Sequence, residues 1–236
     1  MRKLLAIGVL GLAGACSAIA QTGDGAQGQR SFEVGAFQSV SLEGSNDVVV
    51  TVGGAPSVRA EGDQEMLDRL DIRVENGALR IGTERGNWSW FGRSGHATIY
   101  VTAPSLEAAS IGGSGDMRID RVEGQRFAAS IGGSGDMQIG ALRAGQASFS
   151  VAGSGGIRAA GAAEATEISI AGSGNVSLGD LQARRARVSI AGSGDVSLQA
   201  SESVDGSIIG SGDINVRGSA RCSVSKLGSG DIHCGA

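Results

Sequence analysis

The sequence predicts an all-β chain folded as a single β-helix, a solenoid of 18–20-residue coils with one short helix and one hairpin inserted near its N-terminal end. Three observations carry this. A Gly-Ser-Gly motif recurs seven times, its first glycine at 113, 133, 153, 172, 192, 210 and 228, so the steps are 20, 20, 19, 20, 18 and 18. Apolar residues alternate with polar ones on both sides of each motif, as at Ile168 and Ile170 before one turn and Val176 and Leu178 after it; this is the period of a strand with one buried face. Glycine supplies 41 of 236 residues, about 17% against a usual ~7%, and its spacing marks corners. A strand–turn–strand unit cannot bury its own apolar face, so successive units must stack. A period near 20 matches one coil of a β-helix.

The elements follow in chain order. Arg2 and Lys3 precede an uncharged apolar stretch over residues 4–15, too short to span a membrane, and Ala18-Ile19-Ala20 forms an A-x-A cleavage site. Residues 1–20 therefore read as a signal peptide. A competing reading is lipoprotein processing at Cys16, behind the small residues Ala13-Gly14-Ala15. Either way the chain is expected to leave the cytoplasm for the periplasm or the cell surface, with an outer-membrane lipoprotein as the alternative. Residues 21–30 are rich in Gly and Gln and read as a disordered tail. The folded domain is expected over residues 31–236. It opens on a degenerate eighth copy, Gly44-Ser45-Asn46-Asp47, flanked by Val40, Leu42, Val48 and Val50.

Residues 51–108 interrupt the repeat. A strand is predicted at residues 58–60 and a short helix over residues 63–70, with Met66, Leu67 and Leu70 on one side. A hairpin follows over residues 72–81, turning at Asn76-Gly77. Residues 85–96 read as a loop and 97–101 as a returning strand. Regular repeats then run over residues 109–236.

Charge narrows the function classes. The formal net charge of −4 becomes −6 once the two leader cations are removed, and Lys226 is the sole Lys or Arg beyond the leader that is not Arg. Such a chain has no electrostatic grip on nucleic acid. No Cys-x-x-Cys, His-Glu-x-x-His or phosphate-loop pattern occurs, so no metal centre or cofactor is expected.

The Gly-Ser-Asn-Asp segment, the following Glu-Gly-Asp and Asn-Gly elements and the string of Gly-Ser-Gly-Asp motifs resemble the adhesins of the head GIN domain type. The resemblance covers roughly residues 31–236. It implies a right-handed β-helix related to pectin-lyase architecture without catalytic residues, and a role in cell adhesion.

Several residues are candidates for chemistry. The turn carboxylates Asp116, Asp136, Asp195, Asp213 and Asp231 suggest a calcium ladder, but such ladders use a Gly-Gly-x-Gly-x-Asp spacing on a nine-residue period. Gly156 and Asn175 also replace Asp in mid-stack. An Asp that accepts backbone N–H bonds at its own turn is the reading adopted. Two histidines lie outside the leader, His96 and His233, and they give no basis for a nucleophilic triad. The expected function is a non-enzymatic surface-, glycan- or protein-binding module of the envelope. The alternatives are a carbohydrate-active β-helix enzyme and a cation-dependent scaffold.

Three expectations concern particular side chains. Cys222 has the inward parity of Phe127 and Val204, while Cys234 aligns with Ile139, Leu198 and Val216. In an exported chain the pair is expected to form a disulfide closing the last coil. Lys226 replaces the isoleucine of other copies, which predicts that this coil is a cap with a polar end. Trp88, Trp90 and Phe91 make up three of eight aromatic residues and sit together between Arg85 and Arg93. They are the candidate partner contact, against the alternative of a plug sealing the end of the solenoid.

Overall fold

A computed structural model describes residues 27–84 and 95–235. The leader, Cys16 and the tryptophan segment lie outside the described residues. The fold is built from the glycine turns outward. Each first glycine, from Gly113 to Gly228, has φ between +131° and +157°, a backbone region that only glycine enters freely. Close approach is the second constraint. A Cβ at Gly153 would stand 2.2 Å from the carbonyl oxygen of Gly133 one coil below, and one at Gly155 would stand 2.1 Å from that of Gly135. Both glycines are therefore required in every stacked copy, which is why the motif repeats so strictly.

The turns connect long strands that each run round most of a coil: β9 (Met117–Gly133), β10 (Met137–Gly153), β11 (Gly156–Gly172), β12 (Asn175–Gly192) and β13 (Val196–Gly210). They pair in parallel, coil on coil, with like positions in register: Met117, Met137, Ile157, Val176 and Val196 form one inward column. Ile111, Ile131, Val151, Ile170, Ile190 and Ile208 form another, and both are fully buried. The alternating pattern thus becomes two apolar walls of one narrow core. The final coil is split into β14 (Ile214–Arg217), β15 (Arg221–Gly228) and β16 (Ile232–Cys234).

The degenerate first copy forms β2 (Ser39–Gly44) and β3 (Asp47–Val52), which stack in parallel under β8 (Ala108–Gly113) and β9. Much of the irregular stretch over 51–108 continues these sheets. On one face β7 (Ala97–Ala103) pairs β3 in parallel, and β4 (Ser57–Asp63) pairs β7 antiparallel. On the other face β6 (Ala78–Thr83) pairs β2 in parallel, and β5 (Leu70–Glu75) pairs β6 through the predicted hairpin. Asn76 and Gly77 have φ of 52° and 74°, the two positive values a tight hairpin turn needs. Helix α1 (Gln64–Arg69) joins the two faces and buries Leu67 completely.

One expectation is corrected. The tail predicted over residues 21–30 ends early, because residues 27–30 belong to β1 (Gln27–Phe32), paired antiparallel with β4 from Gln27↔Asp63 to Phe32↔Val58. Composition pointed to disorder there, but the open edge of β4 offers backbone partners to a polar strand, and Gln27 donates to Asp63 while Phe32 packs against the core. Among the described residues, no helix is long and apolar enough to cross a membrane.

Candidate functional site

The turn edge of the stack concentrates the polar chemistry. The sequence predicts that the turn carboxylates accept N–H groups at their own turns; instead Asp116, Asp136, Asp195 and Asp213 each reach up to the next coil, while Asp231 of the last turn lies 3.7 Å from Lys226 Nζ. Asp47 Oδ1 accepts the N–H of Asp116 at 3.0 Å, Asp116 that of Asp136 at 2.9 Å, and Asp136 that of Gly156 at 2.7 Å. Above the break, Asn175 accepts from Asp195 at 3.1 Å, Asp195 from Asp213 at 3.0 Å, and Asp213 from Asp231 at 2.7 Å. Parallel stacking explains the shift, since it places equivalent residues roughly 4.8 Å apart, within reach of a short side chain. Each N–H offsets part of the repulsion between neighbouring carboxylates. Among the described residues, no group of three or more His, Cys, Asp or Glu side chains is placed to hold a metal ion.

The foot of the ladder holds a contact that sequence reasoning missed. His96 Nε2 lies 3.0 Å from Asp47 Oδ2, although the two residues are far apart in the chain. Burial opposes ionisation of Asp47, but the Asp116 N–H, His96 and the charge of Arg118 outweigh it and hold its carboxyl below the usual range. Asn46 replaces the second glycine here; it is buried, and its Oδ1 accepts the N–H of Ala97 at 3.2 Å.

The ladder breaks at Gly156, which has no side chain to offer Asn175. The Asn175 N–H turns to the Gly155 carbonyl at 3.2 Å, and Gly156 pairs with Asn175 one residue earlier than the strands do in neighbouring coils. A groove of about 370 Å³ opens at this point. Asp116, Asp136 and Asn175 form one wall, and Arg118, Gln138 and Arg158 form the other. The second wall is a column of outward residues, in register across three coils. A second groove, of about 620 Å³, runs along another corner over Ala144, Ala162, Ala163, Ala183 and Ala200.

The C-terminal coil carries the other predicted residues. Cys222 and Cys234 are joined, with Cα atoms 6.5 Å apart, and they stack on Val204 and Val216 as their parity required. Their surroundings differ from the expectation: Cys222 is half-buried and Cys234 exposed, because among the described residues no coil stacks over them. Lys226 stacks on Ile208 and bends over the open core to donate to the Gly230 carbonyl at 2.8 Å. Arg30 does the same at the opposite end, reaching the Leu67 carbonyl at 3.0 Å from above the Phe32 ring. Trp88, Trp90 and Phe91 lie outside the described residues. The chain leaves and re-enters the described fold beside α1, where Glu84 donates to the Arg69 carbonyl at 2.8 Å and Gly95 lies against Asp63 and Met66.

This architecture matches a family model described as "Putative auto-transporter adhesin, head GIN domain" over residues 36–220, well over half of the chain. The chain belongs to the head GIN domain family. Solved structures share the fold. A "putative adhesin" from Bacteroides fragilis NCTC 9343 superimposes with a TM-score of 0.80 at 23% identity, covering 89% of this chain and 97% of that one. A "putative lipid binding protein" from Parabacteroides distasonis ATCC 8503 gives 0.71 at 25% identity, covering 91% and 98%. A "putative adhesin" from Parabacteroides merdae ATCC 43184 gives 0.68 at 16% identity, covering 91% and 98%. No curated protein matches the sequence. The head GIN domain here therefore spans nearly the whole length of its structural neighbours.

Proposed function

We propose that this head GIN protein is a non-catalytic binding module of the bacterial envelope, exported by the leader over residues 1–20 and used to attach to a surface, a glycan or an envelope protein. The observation that carries the reading is the family match, which takes in the stack from β2 through β14. Physical form supports it. A parallel solenoid holds its outward side chains in straight columns at fixed spacing, on a backbone that ligand binding need not reorganise, and such preorganisation favours binding. Trp88, Trp90 and Phe91 are proposed as a partner contact, since amphipathic aromatics beside Arg are common anchors.

Cells making the chain are expected to attach to immobilised glycans or to host-cell surfaces more than cells lacking it. Trp88→Ala with Trp90→Ala is expected to lower that attachment while leaving the melting temperature nearly unchanged. Attachment indifferent to the presence of the chain overturns the reading. Cleavage after Ala20 predicts a mature N-terminus at Gln21, which intact-mass measurement distinguishes from a lipid-modified Cys16.

The alanine-rich corner favours a second reading, contact with an acyl chain, in line with the name of the Parabacteroides distasonis protein. Displacement of a fluorescent fatty acid from the purified protein checks it; no saturable binding removes it.

A further inference from the structure

The turn ladder is interrupted once among its regular coils, and the interruption coincides with a groove. At Gly156 the side chain that fills this position elsewhere is missing, and an added Cβ would stand 3.0 Å from Asp136 Oδ1. A carboxylate at 156 would therefore occupy the space that the groove now leaves open.

The walls define the chemistry of what fits. On the turn side, Asp116 and Asp136 each commit Oδ1 to a backbone N–H, which leaves Oδ2 as an acceptor. On the other side stand Arg118, Gln138 and Arg158, all exposed. Neither guanidinium is drawn into an ion pair among the described residues. Arginine offers five N–H donors in a fixed plane. The walls thus pair two carboxylates against two guanidinium groups, and their charges cancel. An anion or a cation would be repelled by one wall as it was drawn to the other, whereas a neutral ligand bearing many hydroxyls can donate to one and accept from the other. Size agrees. About 370 Å³ falls at the small end of ligand sites, which begin near 300 Å³. Arg118 and Arg158 are two coil steps apart, roughly 10 Å, enough to bracket one sugar ring.

We propose that the groove at Gly156 is a binding site for a neutral hexose unit of a glycan, held between the Asp116–Asp136 wall and the Arg118–Gln138–Arg158 wall. This deepens the binding-module reading by naming a ligand class. Among the described residues no aromatic ring lines the groove, so a single sugar binds weakly, with a Kd on the order of 1 mM, and useful attachment comes from many copies on one surface.

The test is an amide-resolved NMR titration of the leader-free protein with the methyl glycosides of glucose, galactose, mannose and N-acetylglucosamine. At least one is expected to shift amides clustered at Asp136, Gly156 and Asn175. Gly156→Asp copies the residue that five regular coils already carry, so the variant is expected to keep the melting temperature and to lose binding at least tenfold. Absence of shifts with all four sugars overturns the proposal. So does equal binding by Gly156→Asp, or a response to galacturonate or calcium with none to the neutral sugars. Attachment by cells with no sugar binding at this groove removes the groove and leaves the adhesive reading standing. Sugar binding without attachment leaves the groove standing and removes adhesion.

Discussion

At the scale of residues, the two glycines of each turn and the outward glycine beside them obey different physics. Gly153 combines a φ of +141° with a Cβ position 2.2 Å from the Gly133 carbonyl. Gly132 has only the Ile111 carbonyl near its Cβ, at 3.8 Å, and its place is taken by Ala152 and Ala171 in the coils that follow. Gly132→Ala is therefore expected to leave stability unchanged or raise it by up to ~1 kcal/mol, while Gly153→Ala lowers it by more than that or blocks folding. Urea unfolding of the two variants separates them; equal midpoints would refute the close-approach argument. The ladder carboxylates are less demanding. Asn175 performs the acceptor role with an amide, so Asp213→Asn should be nearly neutral, and Asp213→Ala should cost about 1 kcal/mol for the lost Asp231 N–H bond. Asp47 adds a pH dependence. Its folded carboxyl titrates below its ordinary range, so it stabilises the fold above the unfolded pKa, and that contribution is lost as pH falls through the lower folded value. Asp47→Asn should flatten the acid side of the melting-temperature profile; an unaltered profile contradicts the assignment.

At the scale of elements, the two ends of the solenoid solve the same problem differently. A parallel stack leaves its first and last coils with uncovered apolar walls and unpaired edges. At the N-terminal end β1 and β5 add antiparallel strands, and α1 lays Leu67 into the gap. At the C-terminal end the last coil is short, laced by Cys222–Cys234 and topped by Lys226. The crosslink closes a loop with a sequence separation of 12, worth roughly 2–3 kcal/mol. Reduction should therefore free the amides of β15 and β16 for hydrogen exchange first, with β10 to β12 still protected. Uniform loss of protection along the chain would show that the bond acts on the whole stack. Ile209 and Leu227 stand adjacent and exposed at this end, at 60% and 72%. Lys226→Ile would extend that apolar surface over the open core, and light scattering should show added self-association.

At the scale of the whole molecule, each coil packs overwhelmingly against its immediate neighbours, so stability accumulates coil by coil. Met137 and Ile157 hold equivalent places, so removing residues 137–156 takes out one complete coil and joins Asp136 to Ile157 in register. That shortened chain should fold cooperatively at a lower melting temperature. Removing residues 137–146 leaves half a coil, throws the two apolar walls out of register and should not fold. A half-coil deletion as stable as the full-coil one would refute nearest-neighbour stacking.

The sequence by itself determined the coil, its period, its buried columns and the disulfide, because a repeat writes every one of these positions several times over. Helix and hairpin were legible from local signals alone, in the pattern of Met66, Leu67 and Leu70 and in Asn76-Gly77. Tertiary structure decided the rest. Contacts between coils join residues about 20 apart in the repeats and 49 apart for Asp47 and His96, and no local pattern records them. The acceptor role of Asp136 toward Gly156, the capture of β1 by β4 and the groove between Asp136 and Arg158 exist only once the register between coils is set. That register is chosen by packing the inward columns and by the glycine carbonyls meeting at each corner, which are properties of the stack and of no single repeat.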